Sequence, residues 1–153
     1  MRLILGCVIL CLCTYIGYFL SQKYVKRKEF YQDFISFNNK MKNEVSFFQN
    51  TIDNIIKKSE NDGDFYKYLL NKKNINVCDY KCEYLTTEEN KYVKNYVKEL
   101  GTTDKDSQLK YFDIVDDDIS KIYEKVESDE KKYKVLFLKL GFLFGLIILI
   151  VLL

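Results

Sequence analysis

The sequence predicts an all-α membrane protein: a cytosolic antiparallel helical hairpin or bundle flanked by N- and C-terminal transmembrane helices. Three observations predict it. Two apolar runs stand at the ends of the chain, at 3–20 and 135–153; nearly all the charge lies between them; and that middle stretch, free of Pro, repeats its apolar residues every three or four positions. The expected organisation is a first transmembrane helix over 3–22, a cytosolic helical domain over 23–134 and a second transmembrane helix over 135–153.

Each run holds roughly 18 to 20 residues, which at ~1.5 Å per residue crosses a hydrocarbon core of ~30 Å. Lys139 alone interrupts the second run, about one turn from its polar boundary, where a long aliphatic stem carries the ammonium back to the interface. Orientation follows from the cations, because Lys and Arg beside a span are retained in the cytosol. Lys23, Lys26, Arg27 and Lys28 follow the first run with only Arg2 before it; Lys131, Lys132 and Lys134 precede the second with nothing basic after it. Both signals put the middle in the cytosol and both termini outside. Tyr18, Tyr24 and Tyr133 fall where rings with a polar tip settle among headgroups. A cleaved signal peptide would reverse this topology, but no small-x-small site follows the first run and the basic cluster stands after it rather than before. Leu5-Gly6-Cys7 leaves too short a leader for a lipoprotein signal.

Composition narrows the function. A net charge of +2 over 153 residues gives no concentrated basic face for nucleic acid. With no His, the commonest general base and metal ligand is missing, so His-based triads and His-metal sites are excluded. No phosphate loop or nucleophile motif is present, and the expectation is a non-enzyme without cofactor, metal or small-molecule substrate. Cys7, Cys11 and Cys13 lie in the first span as small apolar residues, and Cys78 and Cys82 read as reduced thiols because no second pair or His completes a metal site and the cytosol disfavours a disulfide.

Along the middle, Phe30, Phe34, Phe37, Met41, Val45, Phe48, Ile52 and Ile55 trace one stripe of a helix reaching about Lys58. Ser59 to Asp64 form a turn, with Gly63 free to take positive φ. Phe65, Tyr66, Tyr68, Leu69 and Leu70 suggest a short helix capped by Asp64, followed by an irregular stretch from Asn71 to Tyr84. Thr86-Thr87-Glu88-Glu89 offers a capping box, and the helix it starts buries Tyr92, Val93, Tyr96, Val97 and Leu100 before Gly101 stops it. Thr103 or Asp104 caps the last helix, whose stripe of Leu109, Phe112, Val115, Ile119, Ile122, Val126 and Tyr133 runs unbroken into the second span. Two long amphipathic helices so placed form a stalk with a compact head, a shape suited to assembly.

Two features are candidates for contact. Gly141-x-x-x-Gly145 sets two small residues one turn apart in the second span, and Gly6, Cys13 and Gly17 make a similar face on the first; either face can pack within one chain or between two. Asp113, Asp116, Asp117, Asp118, Glu124, Glu127, Asp129 and Glu130 make the last helix acidic, and they read as a solvated face, because carboxylates spread along a helix do not converge on a cation.

Leu100-Gly101-Thr102-Thr103-Asp104-Lys105-Asp106-Ser107-Gln108 and the later Leu140-Gly141-Phe142-Leu143-Phe144-Gly145, together with the two-span layout, resemble the stage III sporulation protein AB family. The match lies at Leu100, Gly101, Asp104, Gln108, Leu140, Gly141 and Gly145, and it weakens between Asn50 and Tyr84, where the family's prolines and Trp are missing. The resemblance implies a component of the channel between mother cell and forespore, set in the mother-cell membrane and similar to the platform protein of type II secretion. Its implied partners are the cytosolic ATPase, stage III sporulation protein AA, and other channel subunits. Gly101, Asp104 and Gln108 would then shape the turn that starts the long helix. The alternative is a membrane-anchored regulatory or sensor module that recruits a soluble signalling protein.

Overall fold

A computed structural model describes residues 2–48, 55, 63–73 and 81–152, and every element among them is helical. They are α1 (Arg2–Asn43), a π-helical turn (Glu44–Phe48), α2 (Asp64–Lys73), α3 (Thr87–Glu99) and α4 (Lys105–Leu152). The chain divides into two compact units, Met1–Lys28 with Glu124–Leu153, and Glu29–Tyr123.

The first, the span unit, is a pair of helical segments held by small residues. Contacts join Gly6 to Leu149, Cys13 to Gly141, Gly17 to Phe137 and, nearer the charged boundary, Tyr24 to Tyr133, so residue numbers rise on one segment as they fall on the other. Its outer surface is apolar and uncovered: Phe19, Tyr15, Ile150 and Val151 are among many large side chains left exposed.

The second, the central unit, has an aromatic core. Phe30, Tyr31, Phe34 and Met41 of α1, Phe65 and Leu69 of α2, Val93 and Tyr96 of α3, and Phe112 and Ile119 of α4 are buried. Phe34 stacks on Phe65 at 4.5 Å and meets Tyr96 edge-on at 4.7 Å, geometries in which ring edges and faces attract beyond simple burial. Helix α3 begins as its sequence directs: Thr86 Oγ1 accepts from the Glu89 amide at 3.2 Å and Glu89 returns a carboxylate to the Thr86 amide at 2.8 Å.

Four local expectations differ from the structure. The first long helix passes from α to a π turn at Glu44–Phe48, where the Lys105 ammonium donates to the Ser46 carbonyl at 3.2 Å, and its expected end near Lys58 lies outside the described residues. Ile55 of the expected stripe is buried, while Ile52 and Lys58 lie outside the described residues. Gly63 has no positive φ; a Cβ there would meet only the carboxylate end of the Asp33 side chain. Asp64 is the first residue inside α2 rather than its cap, its carboxylate accepting from the Tyr84 hydroxyl and pairing with Lys67. Finally, α2 runs on to Lys73 through residues expected to be irregular; Cys78 lies outside the described residues.

Candidate functional site

The turn between α3 and α4 is built on three of the residues singled out in the sequence. Leu100 N–H closes the last turn of α3 on the Tyr96 carbonyl, and Gly101 takes φ 74°, a left-handed conformation that costs any residue with a Cβ about 1–2 kcal/mol. Asp104 then accepts from the Ser107 amide at 3.1 Å, and its hydrogen bonds to Ser107 hold the carboxyl below the usual range. Gln108, one turn into α4 and only 3% exposed, reaches back: its Oε1 accepts from the Gly101 amide at 3.1 Å and from the Thr103 hydroxyl at 3.2 Å. The same amide's Nε2 is buried with no partner among the described residues, a cost of about 1–3 kcal/mol that the two accepted bonds offset. Gly101, Asp104 and Gln108 thus meet in one turn.

A second polar node was not singled out from sequence. Asn90, buried in α3, receives the Tyr68 hydroxyl and the Cys82 amide (3.0 Å) on its carbonyl oxygen, and its NH2 donates to the carbonyls of Cys82 (3.2 Å), Leu85 (3.2 Å) and Thr86 (2.9 Å). One side chain thereby ties the irregular segment at 82–86 to α3. Asn38 does the same across the unit, donating to the Phe112 carbonyl at 3.1 Å and accepting from the Tyr96 hydroxyl at 3.1 Å. Both were visible as anomalies: Asn90 stands in register with Val93 and Val97, and Asn38 with Phe34 and Met41, so a polar group occupies a position of an apolar stripe. Burial pushes the nearby phenols up, Tyr68 and Tyr92 each to about 12 and Tyr96 well above its ordinary value. Cys82 is buried beside Tyr84, whose hydroxyl lies 3.4 Å from its sulfur. Among the described residues no cluster of three or more Cys, Asp or Glu is placed to hold a metal ion.

In the span unit, the glycines sit at backbone-to-backbone approaches. A Cβ on Gly17 would meet the Phe137 carbonyl oxygen at 2.5 Å, one on Gly141 the Cys13 carbonyl oxygen at 2.6 Å, and one on Gly145 the Leu10 Cα at 2.9 Å. Gly6 is looser, 3.0 Å from the Leu149 side chain. All four singled-out glycines therefore face the partner segment of the same chain. At the charged end, Lys28 bridges Glu127 (3.7 Å) and Glu130 (3.5 Å), Arg27 lies 3.7 Å from Asp129, and Lys131 and Lys134 pair back to Glu127 and Glu130. Lys131, and after it Lys28, holds the Glu127 carboxyl below its usual range.

Two helices are long and apolar enough to cross a membrane, and only 17% and 6% of their most apolar windows are buried, far less than a core helix of a globular protein would show. The class so defined is an all-helical chain with two candidate membrane spans. The family model described as stage III sporulation protein AB matches residues 70–153, more than half of the chain and all of α3 and α4, and the chain belongs to that family. No curated protein and no solved structure matches it. Membership implies a role in sporulation.

Proposed function

We propose that the chain is a non-catalytic scaffold of a sporulation-specific, secretion-like channel, anchored in the mother-cell membrane by two antiparallel spans and docking a cytosolic ATPase through its central unit. The bundle formed by Glu29–Tyr123 lies in the cytosol and both termini lie outside. The observation that carries this reading is the pair of largely unburied apolar helices bracketing a folded, acidic unit: 18 Asp and Glu against 14 Lys and Arg in Glu29–Tyr123. Basic residues gather instead beside the spans, in keeping with retention on the cytosolic side. The chemistry of the central unit supports a scaffold, since its buried Asn90 and Gln108 and its capping Asp104 are engaged with backbone groups. Other channel subunits would complete the assembly, with no cofactor or small-molecule substrate required.

Two measurements test it. Full-length protein in detergent should retain stage III sporulation protein AA from solution, and its failure to do so while the helical spectrum is intact would remove the docking role. Ser120, exposed on α4, can be changed to Cys: an impermeant thiol reagent should leave Ser120→Cys unlabelled in intact cells and label it after lysis. Labelling from outside would reverse the orientation.

A further inference from the structure

We propose that the span unit carries a site for an anionic phospholipid, with one acyl chain lying in a groove between the two span segments and the headgroup phosphate held between Lys23 and Lys134. The inference rests on the reading that both segments cross a bilayer.

The groove, of about 270 Å3, is almost wholly apolar, its floor made by Gly17 and Gly141 and its walls by Ile16, Leu20, Phe137 and Leu140. It exists because of the floor. Where two backbones approach over glycine, no side chain fills the angle between the helices, and the large neighbours stand up on either side. Beyond Phe137, towards the charged boundary, lies a stack of rings, Tyr24 on Tyr133 at 4.5 Å, with Phe137 6.0 Å from Tyr24. An occupant must therefore be apolar within the membrane and change character at that level.

Charge at the same level says what that character is. The span unit holds ten Lys and Arg against four Asp and Glu, and those four acids are matched to Arg27, Lys28, Lys131 and Lys134 or lie beyond them on α4. Lys23 is exposed and has no acid partner among the described residues. It follows Leu20 by three positions, and Lys134 precedes Phe137 by three, so helical periodicity sets one cation beneath each wall of the groove. Lys134 is 45% exposed at its side chain and shares Glu130 at 3.5 Å, leaving its remaining donors to solvent or to a phosphate. A second copy of this chain is a poorer occupant. In the same membrane it would bring its own Lys23 and Lys134 to the same depth, like charge against like, whereas an anionic lipid brings an apolar chain and an opposite charge in the required order.

The chain has no Trp, so a single introduced indole reports its own surroundings. Ile16→Trp places it on a groove wall; Tyr15→Trp places it at the same depth on the far side of the helix, both at exposed positions, 57% and 65%. In vesicles of the full chain, quenching by brominated phosphatidylglycerol and brominated phosphatidylcholine is compared. Ile16→Trp should be quenched preferentially by the anionic lipid, by about fivefold for each participating lysine, and Tyr15→Trp equally by both. Adding Lys23→Gln and Lys134→Gln to Ile16→Trp should abolish the preference, and Leu20→Trp should repeat the groove result if Ile16→Trp perturbs the helix pair. Equal preference at the two positions overturns the site. A groove indole shielded from both lipids while Tyr15→Trp is quenched assigns the groove to another helix instead. If neither indole is quenched, the segments do not lie in the bilayer, and the spanning reading fails along with the site.

Discussion

The span unit and the central unit are made from the same two long helices yet hold them by different chemistry. In the first, cohesion comes from the absence of side chains: Gly17 and Gly141 let backbones touch, and most large apolar groups point away to where lipid, not protein, would cover them. In the second it comes from bulk and from directed polar bonds, with Phe34, Phe65, Tyr96 and Phe112 filling the interior and Asn38, Asn90 and Gln108 spanning between elements. The charges divide likewise, ten basic against four acidic residues in one unit and 14 against 18 in the other. With the span segments in lipid, as proposed above, the difference teaches that the solvent selects the adhesive. Water drives aromatic burial, and a hydrocarbon surround offers no such drive, leaving close backbone packing as what remains.

If that contrast holds, alkali should separate the units. Tyr68 and Tyr92 titrate near 12 in the folded chain against an ordinary 10.0, so the folded state keeps its phenolic protons longer than the unfolded one. The stability this represents is complete below pH 10 and is lost as pH rises towards 12. The central unit should therefore loosen across that window, with phenolate absorbance and amide exchange in residues 29–123 rising together, while the span unit in detergent keeps its protected amides. Simultaneous loss in both units would remove the distinction.

Single substitutions sharpen it. Phe34→Ala deletes a fully buried ring in contact with Phe65 and Tyr96 and should cost the central unit about 3–5 kcal/mol in a urea titration, without altering exchange at 5–20. Gly141→Leu is the counterpart: the new side chain meets the Cys13 carbonyl, so the helix pair must part, at a cost of about 1–3 kcal/mol read as lost amide protection near Cys13 and Gly17, with the urea midpoint of the central unit unchanged. If Gly141→Leu unfolded the central unit and Phe34→Ala did not, the roles assigned to the two adhesives would be inverted.

How much of this could be read beforehand depends on whether the signal was local. The capping box at Thr86 and Glu89, the stop at Gly101 and the all-helical content were legible, because each is written within a few consecutive residues. The convergence of Gly101, Asp104 and Gln108 was suggested only by a resemblance; the spacing alone did not show Gln108 turning back to the Gly101 amide. Gly63 misled, since a glycine in a polar turn cluster looks the same in sequence whether or not its φ is positive. Asn90 was passed over because its partners at Tyr68 and Cys82 are distant in the chain, although its place in the stripe with Val93 and Val97 marked it as buried. The switch to a π turn at Glu44 has no local marker of the Pro or Gly kind, and Lys105, which donates to the Ser46 carbonyl within it, is far along the chain.

The smallest expected effect concerns the charged rim of the span unit. Lys28 reaches both Glu127 and Glu130, at 3.7 and 3.5 Å, and in an aqueous setting such pairs contribute about 0–1 kcal/mol. Lys28→Gln should accordingly lower the stability of the span unit by less than about 1 kcal/mol at low salt, and the deficit should shrink as salt screens the wild-type pair. Glu130 has more at stake than Glu127, its side chain being 10% exposed against 36%, yet Lys134 remains beside it when Lys28 is neutralised, which keeps the buried carboxylate from standing alone. Neutralising both cations in Lys28→Gln with Lys134→Gln should therefore cost more than the two single changes added together. Strict additivity in that double-mutant cycle would mean that Glu130 is wetter than its burial indicates, and that the rim, unlike either packing region, contributes nothing specific to holding the helices in register.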